Sequence, residues 1–293
     1  MMSTTFVDQY TNQPARPPGH PHPNPSGGLP GEEGADPSSI AAIVCSVLDS
    51  EVAHYAQACP NLVRIEWMPQ GLHNDPPALQ KSLQTQIDLL ENDPRVNTIV
   101  LVYGLCSRGT EGLVTRRCTL VLPRAHDCIT LLLGSAERYA KYVSDNPGTY
   151  WYSPGWNRHH TPPGPKRYQE QRQKYLEQFG EENADFLMES EQAWFQTYHS
   201  ATYVHLTVGA TGEDLAFTRG CADWLGWQYD QQAGDPALLR DLLSGPWDDQ
   251  RFLVLAPGQT ATMTADERIV EAVPATRDSK HEEVTGMDTD EHR

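Results

Sequence analysis

The hydrophobic pattern of the first half of the chain alternates between strand-length and helix-length segments. Two runs, Ile40-Ala-Ala-Ile-Val-Cys45 and Thr98-Ile-Val-Leu-Val-Tyr103, are apolar on both faces, which is typical of buried parallel strands. Residues 61–67 alternate apolar and polar positions, the period-two pattern of a half-exposed edge strand. The short run Leu120-Val-Leu122 completes a set of four predicted strands.

Helical segments separate these strands. Asn74-Asp75-Pro76 is a helix-start signal, because Asp caps a helix and Pro is tolerated in its first turn. Leu79, Leu83, Ile87 and Leu90 follow at helical spacing. The alternation predicts an α/β fold with a doubly wound, mostly parallel sheet of Rossmann or flavodoxin-like type. Across that sheet we expect the order second strand, first, third, fourth.

Pattern and composition divide the chain into five predicted regions. Residues 1–38 form a leader rich in Pro, Gly, Asn and Ser that we expect to be disordered. It is followed by an N-terminal α/β lobe (39–165), a helical insertion (166–200), a second α/β stretch (201–260) and an acidic flexible tail (261–293). The second stretch, with predicted strands at 202–208, 228–232 and 252–255, is expected to form another lobe across a cleft from the first.

Charge and composition restrict the functional classes. The formal charge is −17 and no basic block is longer than a pair, so we expect no nucleic-acid surface. No apolar run approaches the ~20 residues of a membrane span, and the N-terminus lacks a signal-peptide pattern, so we expect a cytoplasmic protein without a membrane. Its six cysteines are expected to be reduced thiols, metal ligands or core residues.

Cysteine and histidine residues occur where the predicted strands end. Cys45 closes the first strand, His73 follows the second, Cys106 the third, and His126 and Cys128 the fourth. Open α/β sheets bind ligands outside the carboxyl ends of strands that lie only about 4.8 Å apart, so these side chains should converge. Thiolates with a nearby imidazole suit zinc, or an iron–sulfur cluster with one iron left open.

Three interpretations of this group stay open. In the first, Cys45, Cys106 and Cys128 are metal or cluster ligands, and His73 or His126 moves protons. In the second, the thiols are inert core residues, since free cysteine is often buried. In the third, one activated thiolate with a histidine partner is a nucleophile without a metal. The remaining cysteines are predicted to lie at the opposite edge of the sheet or in a helix core (Cys59, Cys118 and Cys221).

Polar residues near the same edge are candidate substrate contacts. Tyr103 ends the third predicted strand, and we expect it to face the site. Arg108 and Arg124 follow the third and fourth strands, where a guanidinium fork would hold an anionic substrate. An ordinary surface ion pair is the alternative for either arginine.

Residues 149–156, Thr-Tyr-Trp-Tyr-Ser-Pro-Gly-Trp, read as an aromatic loop. We expect Trp151 and Trp156 to contact substrate, with the loop acting as a lid or as a flat platform. Aromatic packing between the lobes is the alternative.

Several sequence blocks together resemble a known family. They are Cys45, Gly71-Leu-His73, Tyr103-Gly-Leu-Cys106, Pro123-Arg-Ala-His-Asp-Cys-Ile129, Leu133-Gly-Ser135, Pro147-Gly-Thr-Tyr-Trp151 and Gly155-Trp156. Over about residues 40–258 the chain resembles the uncharacterised family catalogued as domain of unknown function 1638. Members of that family occur in bacteria and methanogenic archaea, often with corrinoid-dependent methyltransferase systems. The resemblance therefore implies a corrinoid or methyltransferase protein as a partner and carries no established reaction.

These observations lead to one functional expectation and two alternatives. We expect an enzyme, a transferase or lyase, whose zinc or iron–sulfur centre acts on a small anionic or methylated substrate. The first alternative is a non-catalytic partner protein of a methyl-transfer system. The second is an enzyme that uses a thiol nucleophile without a metal.

Overall fold

The computed structural model describes residues 39–275; the predicted leader (1–38) and residues 276–293 of the predicted tail lie outside them. The strands are β1 (Ile40–Cys45), β2 (Leu62–Met68), β3 (Thr98–Val102), β4 (Thr119–Pro123), β5 (Thr149–Tyr152), β6 (Ser200–His205), β7 (Gln228–Ala233), β8 (Phe252–Leu255), β9 (Gln259–Met263) and β10 (Val270–Pro274). The α-helices are α1 (Asp49–Tyr55), α2 (Pro76–Glu91), α3 (Cys128–Leu133), α4 (Ala136–Asp145), α5 (Pro154–His159), α6 (Pro165–Phe179), α7 (Glu181–Phe195), α8 (Gly212–Leu225) and α9 (Ala237–Ser244). Short 3-10 helices cover Ser46–Leu48, Ala56–Ala58 and Gln70–Asn74.

The central sheet has the order β2-β1-β3-β4-β8, and its first four strands are parallel. The predicted α/β class and the predicted order of these four strands are confirmed. Every residue of β1 and β3 is buried, as expected for inner strands that are covered on both faces. Helix α2 begins where predicted, because the Asp75 side chain accepts a hydrogen bond from the Ala78 N–H. Its apolar stripe is fully buried against the sheet.

The fifth strand of this sheet comes from the far end of the chain. Residues 252–255 are predicted to belong to the second α/β stretch, but β8 instead pairs antiparallel with β4. The reason lies in α9, which precedes β8 in the chain. Leu239 and Leu242 of α9 are fully buried in the core of the central sheet, so the chain leaves that helix beside β4.

A smaller parallel sheet has the order β5-β6-β7. Its first strand, β5, contains Trp151, and residues 149–152 pair in register with β6. The prediction of a loop at 149–156 is therefore wrong. Directly afterwards, the Ser153 side chain accepts a hydrogen bond from the Trp156 N–H and Pro154 occupies the first turn, which starts α5. The segment is thus a strand followed by a helix.

The predicted helical insertion consists of α6 and α7, which join at Gly180. Gly180 has a φ of +77°, a left-handed conformation that glycine adopts without the steric cost of a Cβ. Among the helices of residues 39–275, none has both the length and the apolar character needed to cross a membrane.

Part of the predicted flexible tail is an ordered hairpin. Strands β9 and β10 pair antiparallel, and the Gly112 N–H donates to the Ala261 carbonyl at 3.3 Å. Ala261 and Val270 are buried in the central core, which accounts for the order of this segment. The prediction of flexibility from residue 261 is therefore wrong up to residue 275.

The carboxyl ends of the two parallel sheets face each other. A Cβ at Gly155, which follows β5, would collide with the Val47 carbonyl, which follows β1. Arg158 of α5 donates to an Asp49 carboxylate oxygen of α1 at 2.7 Å. Residues that follow the strands of both sheets thus line a common junction.

Candidate metal centre

Three metal-ligating side chains meet at the carboxyl edge of the central sheet. Cys45 is the last residue of β1, His73 lies in the 3-10 helix after β2, and Cys128 is the first residue of α3 after β4. One ligand atom from each of them lies within 4.8 Å of the other two. Both thiols are buried and the imidazole is half-buried. These three residues could hold a metal ion, and they come together at the strand ends where the sequence predicted that the side chains converge.

The His73 ring is held in an orientation suited to metal binding. Its Nδ1 lies 3.0 Å from the Gln70 carbonyl oxygen, to which it donates when the ring is neutral, so that the Nε2 lone pair is directed at the cysteine thiols. Tyr103 stacks on the ring with 5.9 Å between centroids. Metal-binding histidines generally donate their other ring N–H to a carbonyl or carboxylate, and His73 follows that rule.

Cys106 lies at the edge of the same group, in a turn with unusual backbone geometry. Its Sγ is 3.4 Å from His73 Nε2. Cys106, Ser107 and Arg108 have φ values of 46°, 55° and 72°, three consecutive left-handed residues without a glycine among them. Each such residue costs about 1–2 kcal/mol, a type of strain that tends to concentrate at functional sites.

Close backbone packing joins this turn to the segment that carries Cys128. The N–H of Cys106 donates to the His126 carbonyl at 3.1 Å. A Cβ at Gly104 would collide with the Asp127 backbone, so this approach requires glycine. Asp127 in turn caps α3, accepting from the Ile129 N–H at 3.0 Å. The Tyr-Gly-Leu-Cys and His-Asp-Cys blocks are therefore two halves of one packed unit.

Asp127 is held on both carboxylate oxygens. Its second oxygen accepts a hydrogen bond from the Tyr139 hydroxyl at 2.7 Å. Burial raises the pKa of Asp127, against the opposing effect of that hydrogen bond. Its hydrogen bonds to the first turn of α3 fix the start of the helix, and thereby the backbone position of Cys128.

The three thiols and the imidazole form one electrostatically coupled group. Contacts with the Cys106 and Cys45 thiols, and then with His73, hold the pKa of Cys128 well below its ordinary value despite burial. Burial and the contact with Cys128 raise the pKa of Cys45, while the Cys128 contact followed by burial raises that of Cys106. Burial lowers the pKa of His73, but Cys128, the Gln70 carbonyl and Asp127 together raise it above its ordinary value. Cys128 is therefore the first of the three to carry negative charge.

Comparison with known protein families gives one match, and it covers both of the sequence blocks that pack together here. A family model described as "Protein of unknown function (DUF1638)" matches residues 67–243. The chain belongs to this family. The family match includes His73, Cys106 and Cys128, whereas Cys45 precedes it. No curated protein and no solved structure matches the chain.

The other polar residues predicted for the site of this family member lie apart from the metal-binding group. His126 is exposed, with its ring 6.4 Å from that of Tyr139. Arg108 is exposed and forms an ion pair with Glu111, the alternative that the sequence left open. Tyr103 is the exception, because its buried hydroxyl approaches Cys45, although it has no well-aligned hydrogen-bond partner among the described residues.

Arg124 has a structural role that the sequence pattern does not reveal. The side chain is buried, and its Nε donates to the Asp249 carbonyl at 2.8 Å. Its guanidinium also donates to the carbonyls of Arg268 and Val270 and to the Asp249 carboxylate. These bonds use the donors that an anionic substrate would need, so the prediction of a substrate contact here is corrected.

The two tryptophans pack at the junction of the sheets. Trp151 lies 4.8 Å from the Tyr142 ring, measured between centroids. Trp156 lies 4.4 Å from the His160 ring, and its indole N–H is buried without a partner among the described residues. Burial, Arg167 and then His73 lower the pKa of His160 to about 4, which keeps this imidazole neutral near neutral pH. Both tryptophans contact the central core, which supports the packing alternative.

One buried acid at the junction of the two sheets was not predicted. Glu51 of α1 is fully buried, and neither carboxylate oxygen has a hydrogen-bond partner among the described residues. Gly209, in the loop between β6 and α8, packs directly over it and over Ser50. Burial raises the pKa of Glu51 to about 7, against the opposing charge of Arg158. A carboxylate in an otherwise polar helix gives no sequence signal for this environment.

Proposed function

We propose that this protein is an enzyme that uses one metal ion, zinc, held by Cys45, His73 and Cys128. The observation that carries the proposal is the convergence of these ligand atoms within 4.8 Å from three separate elements. Zinc bonds to sulfur at about 2.3 Å and to nitrogen at about 2.0–2.1 Å, so tetrahedral ligand atoms lie less than about 4 Å apart. The group is close to that arrangement and needs only small side-chain movements.

The compactness of the group favours a single ion over an iron–sulfur cluster. A cluster places several metal and sulfide atoms between its thiolates, and it would have to push the ligands apart. Here Cys106 Sγ and His73 Nε2 are already in contact at 3.4 Å. An imidazole among the thiols also suits zinc, for which mixed Cys and His ligand sets are common.

Three protein ligands leave a fourth position, and that arrangement is typical of catalytic rather than structural zinc. A bound zinc ion would supply a Lewis acid there for a small anionic or methylated substrate in a transfer or lyase reaction. The Gln70 carbonyl orients His73, and burial of Cys45 and Cys128 excludes water from their thiolates. His126, whose carbonyl accepts the Cys106 N–H although its ring is exposed and apart from the ligands, is the proposed proton carrier, since His73 is used as a ligand.

Metal analysis of protein purified without oxygen tests this proposal. We expect about one zinc per chain, because the group offers one tetrahedral position. Cys45→Ser and Cys128→Ser should each lose the metal, whereas Cys118→Ser should keep it, since that buried thiol donates instead to the Val96 carbonyl at the opposite edge of the sheet. Absence of zinc, iron and other transition metals from the wild-type protein would refute the proposal.

A metal-free thiol nucleophile is the second candidate, and one observation favours it. Contacts with Cys106, Cys45 and His73 lower the pKa of Cys128, which favours its reactive thiolate form. This candidate predicts that Cys128 reacts with iodoacetamide far faster than the other cysteines in metal-free protein. Equal, slow labelling of all six cysteines would exclude it.

Partner and location are proposed on separate grounds. The family resemblance suggests a corrinoid or methyltransferase protein as partner, and co-purification of the metal-loaded chain with one purified methyl-transfer protein would test this. A cytoplasmic location is supported by six free cysteines, since adjacent thiols persist in a reducing compartment. Oxidised thiols in protein taken directly from cells would contradict that location.

A further inference from the structure

Cys106 differs from the three proposed ligands in how its backbone is held. Cys45 belongs to a buried strand and Cys128 to a capped helix. Cys106 belongs to the left-handed turn, where the next two residues, Ser107 and Arg108, are exposed to solvent. Its Sγ nevertheless contacts His73 Nε2 at 3.4 Å, and its thiol also contacts Cys128. The site therefore has three ligands on regular elements and a fourth candidate ligand, the buried Cys106 thiol, on a strained turn whose next two residues are exposed.

We infer that Cys106 is an exchangeable fourth ligand, and that a thiol substrate displaces it. The inference rests on the proposed metal site and replaces the small anionic or methylated substrate proposed there with a thiol. In the exchange, the bond between the ion and Cys106 Sγ breaks and a bond to the substrate sulfur forms. The proton of the substrate thiol moves to the Cys106 thiolate, so that both atoms and charge balance.

The net charge of the site favours a thiol over a carboxylate as the incoming ligand. Cys45, Cys106 and Cys128 as thiolates around a divalent ion carry one net negative charge, and all three are buried. A second net charge in such a site would be costly, because burial removes the solvation of charged groups. A carboxylate has no proton to donate at neutral pH, so its binding would add a second negative charge to the site. A thiol donates its proton to the displaced Cys106 thiolate, so the net charge of the site does not change.

Neither arginine that follows a ligand-bearing strand is free to compensate an added anion. The two arginines nearest in sequence to the ligand-bearing turns are engaged elsewhere, Arg108 with Glu111 and Arg124 with Asp249 and backbone carbonyls. Sulfur also matches the soft ligand set already present.

In cobalt-loaded protein, the intensity of the thiolate-to-cobalt absorption reports how many thiolates bind the ion. Cys106→Ser should keep its cobalt and lose about one third of this absorption, since two of three thiolates remain. Addition of 2-mercaptoethanol should restore the lost absorption, and acetate should not. Cys45→Ser should bind cobalt more weakly by at least about 10- to 100-fold, the loss seen even for an outer hydrogen-bond partner. Cys118→Ser serves as the matched control and should resemble the wild type.

Proton counting tests the exchange in the unaltered zinc-loaded protein. Calorimetric titration with 2-mercaptoethanol in buffers of different ionisation enthalpy should show no net proton release from wild type. Cys106→Ser should release about one proton per thiol bound, because no thiolate is present to accept it. This measurement on wild type does not depend on whether the variant folds.

The outcomes separate this inference from the proposed function. Unchanged absorption in Cys106→Ser, loss of its cobalt, no restoration by thiol, or proton release from wild type would each overturn the role of Cys106. Wild-type protein that binds no metal would overturn the proposed function itself. Metal binding without thiol exchange would leave the proposed metal site standing and refute only the exchange.

Discussion

Replacement of Glu51 by Gln removes a buried acid while keeping its shape. Glu51 is fully buried and has a pKa of about 7, against an ordinary 4.5. In the unfolded chain the carboxyl ionises near its ordinary pKa, whereas the folded protein holds the proton until about pH 7. Because the folded state binds the proton more tightly, stability is present at low pH and is lost as pH rises through this window.

The size of the effect follows from the two pKa values. At about 1.36 kcal/mol per pH unit, the difference corresponds to about 3 kcal/mol of stability lost by wild type between roughly pH 4.5 and 7. Glu51→Gln cannot ionise, so its free energy of unfolding should rise relative to wild type by about that amount across the window.

Chemical denaturation at several pH values between 4.5 and 8 measures this difference directly. Other titrating groups, including the metal ligands, contribute equally to both proteins and cancel. Glu189→Gln is the control, since Glu189 is exposed on α7 and its variant should stay parallel to wild type. A constant difference between Glu51→Gln and wild type over the whole range would refute the reasoning and indicate that Glu51 has a stabilising partner.

Three further predictions concern the backbone around the site. Gly104→Ala should destabilise the fold and abolish metal binding, because its Cβ would collide with the Asp127 backbone. The control Gly71→Ala, whose Cβ would have nothing within 4 Å, should keep the wild-type melting temperature and metal content. Ser107→Gly should raise the free energy of unfolding by up to about 1 kcal/mol in urea, since glycine removes left-handed strain, and a lower stability would contradict this. Asp75→Ala should cost about 1 kcal/mol through loss of the helix cap, and an unchanged urea midpoint would argue against that cap.

The position of the site was predictable because it follows from topology. Apolar strand-length runs identify β1 and β3, and the carboxyl ends of neighbouring parallel strands must lie together, so Cys45 and Cys128 could be expected at one edge. The role of His73 was less accessible. Whether a loop histidine binds an ion or moves protons depends on ring orientation, and here the Gln70 carbonyl determines it.

The errors have a common physical cause, which is contact with distant segments. Arg124 resembles a substrate contact in sequence, but its partners lie 125 or more residues further along the chain. β8 reads as part of the second lobe until α9 is known to pack on the first. Glu51 is buried by a loop after β6. Periodicity describes one segment at a time and contains no information about which segment covers another.

The bonds made by Arg124 have a consequence for the order of assembly. All four candidate ligand residues have been synthesised once the ribosome has passed Cys128. The loop that leads to Cys128 nevertheless begins at Arg124, whose hydrogen-bond partners include the distant Val270. Contacts of such long sequence separation form late and slow folding. A ribosome-bound chain that ends before these residues should therefore hold metal poorly. The ion would be acquired only after nearly the whole chain has emerged.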